Sequence, residues 1–165
     1  MTRFYEPLYQ FAFSLARSEA DAADLTQQTF YIWATKGHQL RDRSKVKTWL
    51  FTTLHRTFLE SRRKETRFPH QELNDGVIES VSLAPALVSQ LDSAHVLRAL
   101  GKVDEIYRAP VALFYLEDCS YKEIAEILDL PMGTVKSRMA RGIGHLQKML
   151  AGDIQLFAGS KEGKK

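Results

Sequence analysis

The chain has 165 residues, 44% of them hydrophobic and 26% charged, with a net charge of +3. That composition supports one or two small folded domains and argues against a wholly disordered chain. No apolar run approaches the roughly 18 residues a membrane span needs, the opening Met1-Thr2-Arg3-Phe4-Tyr5-Glu6 lacks the pattern of a secretion signal, and the single cysteine, Cys119, precludes an internal disulfide and suits the reducing cytoplasm. The charge is unevenly spread: residues 1–70 carry +5, residues 71–97 carry −4 and residues 98–165 carry +2, a pattern of two basic modules with an acidic stretch between them.

In chain order, Phe4, Leu8, Phe11, Ala12 and Leu15 recur at helical spacing and predict a first amphipathic helix. Ser18-Glu19-Ala20-Asp21 supplies a turn with an N-cap candidate. A second stripe follows at Leu25, Thr29, Ile32 and Trp33, and Gly37 stands where a left-handed C-cap would need it. Past the polar stretch His38 to Lys45, a third helix turns Val46, Trp49, Leu50, Leu54 and Phe58 inward. Trp49 reads as core rather than as a base-stacking platform. His55 and Arg56 fall on the polar side, open to solvent or DNA. The tail Arg62-Arg63-Lys64 suits phosphates, and Phe68-Pro69 ends the helical pattern.

Residues 68–92, with Pro69, Asp75-Gly76 and Pro85, have no sustained period and read as a linker. Asp92 or Ser93 is placed to cap a fourth helix bearing Val96, Leu97 and Leu100. The next carries Val111, Leu113, Phe114 and Leu116, and Pro110 predicts either a kink or the start of that helix. After residue 152 a Gly- and Lys-rich tail is expected to be disordered. No strand pattern appears, so the predicted class is all-α: residues 1–67 and 93–152 as helical domains, 68–92 as the acidic linker and 153–165 as the tail.

The most specific segment is Ser120 to Leu150. Ser120-Tyr121-Lys122-Glu123 is a capping box, in which a serine hydroxyl and a glutamate satisfy each other's backbone amides. Ile124, Ala125, Ile127 and Leu128 give a short helix its buried face, and Asp129-Leu130-Pro131-Met132-Gly133 breaks it. A second helix beginning near Thr134 buries Val135, Met139, Ile143, Leu146 and Leu150, and presents Thr134, Ser137, Arg138 and Arg141 on its other side. Two helices, a short turn and a cationic second helix describe a helix-turn-helix, because the major groove admits one helix and Arg reads guanine edges there. A helical hairpin with a solvated basic face is the plainer reading of the same pattern.

Ser120 to Leu128 followed by Pro131-Met132-Gly133-Thr134-Val135-Lys136-Ser137-Arg138 resembles region 4 of the extracytoplasmic-function (ECF) sigma factors, in the sigma-70 family. Leu113-Phe114-Tyr115-Leu116-Glu117 resembles the helix before it. Asp21-Ala22-Ala23-Asp24-Leu25-Thr26-Gln27-Gln28-Thr29-Phe30 resembles region 2.2, with Ala23 and Gln28 where the family more often has acids. Thr48-Trp49-Leu50-Phe51 and the helix to Arg63 resemble regions 2.3 and 2.4.

The resemblance implies a transcription-initiation factor that binds core RNA polymerase through Asp21, Asp24, Gln27 and Gln28. It implies contact with the minus-10 element, in double- and single-stranded form, through Arg41, Ser44, Lys47, Thr48, Thr52, His55, Arg56, Arg62 and Arg63, with the loop His38 to Ser44 helping to hold a flipped base. It implies contact with the minus-35 element through Thr134, Lys136, Ser137, Arg138 and Arg141. An anti-sigma protein is a further candidate partner. Neither cofactor, metal, catalytic residue nor membrane insertion is implied, and the expected location is cytoplasmic.

A dimeric helix-turn-helix regulator is the rival reading, but it leaves the first module without a role. A serine recombinase would need Ser14 as nucleophile, and no base or strand-rich scaffold accompanies it. An adaptor whose partner is only protein is a third reading, to which failure to footprint any promoter with core polymerase would point. Cys119 reads as a small buried hydrophobe rather than a redox sensor.

The 25 residues of the linker reach roughly 25–30 Å as a relaxed coil and roughly 80 Å extended. Promoter elements about 16 base pairs apart lie roughly 55 Å apart. The unbound chain is therefore expected to be compact, its basic lobes occluding each other, and to open on polymerase. Glu72, Asp75 and Glu79 are expected to make the linker repel DNA.

Overall fold

A computed structural model describes residues 2–66 and 93–159, which form seven α-helices with short 3-10 turns between some of them. The linker, with its acids and Phe68-Pro69, and Asp92 lie outside the described residues.

Helix α1 (Tyr5–Ala16) buries Leu8, Phe11, Ala12 and Leu15 of the predicted stripe, while Phe4 stands just before it in a 3-10 turn, half-buried. It ends on Arg17 in the left-handed region, φ 60°, whose N–H bonds the Phe13 carbonyl. Ser18 then caps α2 (Glu19–Lys36), its hydroxyl accepting from the Asp21 amide at 3.3 Å. Within α2 the buried hydroxyls of Thr26 and Thr29 donate to the Ala22 and Leu25 carbonyls, each at 2.7 Å, so neither hydroxyl is stranded. Helix α3 (Val46–Glu65) crosses both, and the Phe11 and Phe51 rings meet at 5.4 Å in the centre.

Gly37 and Phe51 depart from the sequence pattern, while Trp49 keeps the packing role expected of it. Gly37 is not a left-handed cap; its φ of −63° is ordinary helical geometry. It is small because the Trp33 indole lies over it, and a Cβ there would sit 2.6 Å from a ring carbon. Phe51 is fully buried although it lies off the predicted stripe, because its ring packs on Phe11 of α1. Trp49 is half-buried and meets Trp33 edge to face at 5.2 Å, a packing role.

The second module holds α4 (Ser93–Leu100), α5 (Glu105–Glu117), α6 (Tyr121–Leu128) and α7 (Met132–Gly159). Pro110 does not start a helix: α5 begins five residues earlier and carries Pro110 inside it, buried. The capping box on α6 is complete, with Ser120 Oγ accepting from the Glu123 amide at 3.2 Å and the Glu123 carboxylate accepting from the Ser120 amide at 2.8 Å. Asp129 ends α6 at φ 54°, where its short polar side chain tolerates the left-handed turn. Helix α7 starts at Met132, two residues before the expected Thr134, and continues to Gly159 rather than ending at 152. Gly152 is only a weak break, since a helical glycine costs about 1 kcal/mol and Ile154, Gln155, Leu156 and Ala158 beyond it tolerate helix. Gly142 lets α5 and α7 approach, because a Cβ there would meet a Val111 methyl at 2.4 Å.

The two modules are packed together. Helix α1 lies against α4 and α5, and α3 lies against α6. Arg108, only 6% exposed, ties the joint: it donates to the Leu100 and Val103 carbonyls of its own module and to the Leu15 carbonyl of α1 at 3.2 Å. Leu15 and Leu100 stand in the last turns of α1 and α4, where carbonyls lack intrahelical donors, and the Leu100 carbonyl also accepts from the Val103 amide at 3.1 Å. Burial, then the neighbouring Arg17, lowers the Arg108 pKa.

Candidate nucleic-acid and protein-docking faces

One face is built by α2. Burying Ala22, Leu25, Thr26 and Thr29 turns the opposite side outward, and Asp21, Asp24, Gln27 and Gln28 are all exposed on it. Tyr31 belongs to the same side and is 71% exposed. The sequence reading passed over it, although its offset of seven from Asp24 and four from Gln27 was there to be read.

The residues assigned to the minus-10 element do not share one free surface. Arg41, Ser44, Arg56 and Arg63 are exposed, and Thr48 and Thr52 are half-buried. Ser44 is held by Asp42, whose carboxylate accepts from its amide at 2.9 Å and its hydroxyl at 2.7 Å. Lys47, His55 and Arg62 instead turn toward the second module. Lys47 Nζ donates to the Glu117 carbonyl at 2.7 Å. Arg62 grips Glu105 with two bonds, Nη2 at 2.8 Å and Nε at 3.3 Å. His55, expected on the open polar side, is half-buried, and its pKa falls to about 4 through burial first and then the positive charges of Arg138 and Arg56.

The start of α7 provides the third face. Lys136 and Ser137 point outward together with Gly133 and Ala140, while Thr134, Arg138 and Arg141 are half-buried on the flank. Arg138 is close enough to His55 to depress its pKa, and Arg141 Nη1 donates to the Tyr107 hydroxyl at 3.4 Å. The packing of α3 on α6 thus brings His55 of the first module within electrostatic reach of Arg138 of the second.

Lys45, outside the predicted set, pairs with Glu126 of α6 at 2.7 Å. Glu117 is 8% exposed, and burial pushes its carboxyl up to about 7 against the opposing pull of Lys47. Burial likewise raises the Cys119 thiol to about 11, so at 2% exposure the residue is a small hydrophobe. Among the described residues no cluster of His, Cys, Asp or Glu could hold a metal ion, and no helix is long and apolar enough to cross a membrane.

Comparison with known proteins covers both modules. Residues 1–68 match the family model described as Sigma-70 region 2, and residues 94–146 match that described as Sigma-70, region 4. The ECF RNA polymerase sigma factor SigM of Bacillus subtilis is 27% identical over 149 residues, spanning 88% of this chain and 90% of that protein. RNA polymerase sigma factor YlaC of the same organism is 26% identical over 150 residues, with coverages of 88% and 87%. Among solved structures, the sigma factor RpoE in its complex with the anti-sigma factor NepR from Bartonella quintana superposes with a TM-score of 0.70 and 32% identity, covering 91% of this chain and 93% of that one. The fold is also similar to CnrH in its complex with the cytosolic domain of CnrY, with a TM-score of 0.62 at 23% identity.

Proposed function

We propose the following division of labour on the premise that the chain belongs to the sigma-70 family and is an extracytoplasmic-function sigma factor, a transcription-initiation protein that binds core RNA polymerase and promoter DNA. Residues 1–67 dock on polymerase through Asp21, Asp24, Gln27 and Gln28 of α2. The same module engages the minus-10 element through Arg41, Ser44, Thr48, Thr52, Arg56 and Arg63, joined by Lys47, His55 and Arg62 once the modules part. Residues 93–152 read the minus-35 element with α7, where Lys136 and Ser137 hold phosphates and Arg138 and Arg141 reach base edges.

The observation that carries this reading is the separation of two chemically different outer faces. Helix α2 offers carboxylates and amides, suited to a protein partner, while α3 and the start of α7 offer cations and hydroxyls, suited to nucleic acid. A dimeric helix-turn-helix regulator would use only the second of these. The role is one of positioning, with no catalytic step assigned to any side chain. It is carried out in the cytoplasm, where polymerase and promoter meet, and an anti-sigma protein is a natural antagonist, as RpoE has in its complex with NepR.

Run-off transcription with core polymerase on genomic fragments tests the reading. Wild-type chain should yield discrete transcripts from asymmetric bipartite sites. Asp24→Lys should abolish them while helicity persists, since exposed substitutions shift stability by about 0.5 kcal/mol or less. Undiminished polymerase binding by Asp24→Lys would overturn the docking assignment.

A further inference from the structure

Beside the packed helices and the bonds that Arg108 and Lys47 make to main-chain carbonyls, two of the contacts between the modules share one chemical logic. Each module is net basic, so their outer charges oppose association. Two glutamates of the second module overcome this locally. Glu105, in the first turn of α5, takes both nitrogens of a fork from Arg62, and Glu126 of α6 takes Lys45 at 2.7 Å. Arg62 and Lys45 stand at opposite ends of α3, the cationic helix assigned to promoter DNA. A two-pronged Arg–carboxylate contact has the geometry that the same guanidinium would offer a phosphate.

We propose that Glu105 and Glu126 act as intramolecular stand-ins for promoter phosphates, an autoinhibitory latch that engages α3 at both ends. While it is closed, Lys47, His55 and Arg138 are masked along with the latch cations.

The Arg62–Glu105 half of the latch also lies beside the docking face, so the proposal rests on the reading of α2 given above. A cleft of about 630 Å³ is lined by Asp21, Asp24, Gln28 and Arg62 of the first module and by Glu105 and Arg108 of the second. A protein that grips Asp24 and Gln28 enters the space next to the Arg62–Glu105 contact. Polymerase docking therefore precedes opening and drives it, and promoter phosphates replace the two glutamates afterwards. Both pairs are nearly half exposed, at 42–49% of their side-chain surface, which keeps each weak enough to be displaced.

The experiment uses the full chain and charge swaps. Glu105→Arg with Glu126→Arg, and separately Arg62→Glu with Lys45→Glu, should each raise the radius of gyration of the free protein in small-angle scattering, with circular dichroism unchanged. The fourfold swap has the net charge of the wild type and should return to the compact radius. The acid-side pair should also bind core polymerase about tenfold more tightly, because the cost of opening has been removed in advance. Adding Asp24→Lys to the acid-side pair separates the two readings. If that addition weakens polymerase binding but scattering and affinity ignore the glutamate changes, docking stands and the latch is refuted. If the glutamate changes open the chain but Asp24→Lys has no effect, the latch stands and the docking reading with its trigger falls. A fourfold swap that stays extended also refutes the latch.

Discussion

Replacing His55 by glutamine should change how the protein responds to acid more than how stable it is in alkali. Burial and the facing charges of Arg138 and Arg56 hold His55 near pKa 4, against 6.5 for a free imidazole. The packed form therefore disfavours the imidazolium, and its stability falls as pH drops from about 6.5 toward about 4. Linkage puts the loss at about 1.4 kcal/mol by about pH 5.5.

Glu117 works in the opposite direction. Burial raises its carboxyl from 4.5 to about 7, so the packed form favours the neutral acid and its stability falls as pH climbs from about 4.5 to about 7. Going from about pH 8 down to about pH 5.5, this group returns about 2 kcal/mol. The two contributions nearly cancel, and the wild type should respond weakly over this range.

Urea unfolding at the two pH values would separate them. Relative to wild type, His55→Gln should gain about 1.4 kcal/mol of additional stability on acidification, and Glu117→Gln should lose about 2 kcal/mol. Comparing pH responses between variants cancels the titration of every other group and any constant cost of the substitution. A His55→Gln response indistinguishable from that of the wild type would refute the buried, cation-facing placement of the imidazole.

Two further outcomes follow from the geometry. Gly142→Ala places a methyl 2.4 Å from the Val111 side chain and should destabilise the chain by about 1–3 kcal/mol in urea titration, whereas a neutral result would mean that α5 and α7 can shift apart. Arg138→Ala should weaken binding of the polymerase-bound chain to its minus-35 site by about 1–3 kcal/mol in fluorescence anisotropy with one base position relaxed, and a uniform loss over all sequences would make it a phosphate contact.

What could be read from the sequence was local. The capping box at Ser120, the stripe Val135-Met139-Ile143-Leu146-Leu150 and the N-cap within Ser18-Glu19-Ala20-Asp21 each depend on residues within a few turns; the box forms, the cap falls to Ser18, and the stripe is buried except at the half-buried Ile143. Gly37 shows how a local signal misleads: glycine is required there, but by the Trp33 ring and not by backbone torsion, and sequence alone does not separate the two causes. The left-handed caps fell instead to Arg17, Asp118 and Asp129. Contacts between elements remote in the chain were out of reach. The burial of Phe51, the turning of Lys47, His55 and Arg62 away from solvent, and the close approach at Gly142 all depend on partners far along the chain. The outward position of Lys136 and the flanking position of Arg138 likewise depend on how α7 sits, since a recognition stripe in sequence has no azimuth until its helix is packed.

The joint between the modules also has a consequence for sequence divergence. Arg108 reaches across to the carbonyl of Leu15, and Lys47 reaches the carbonyl of Glu117. In each case the acceptor is main chain, and every amino acid supplies the same oxygen. Positions 15 and 117 are thus free to drift without loosening these two bonds, while Arg108 and Lys47 are constrained alone. Pairwise covariation between modules should consequently register the carboxylate contacts at Glu105 and Glu126 and miss the bonds made by Arg108 and Lys47, so half of the fastening leaves no paired trace in homologous sequences.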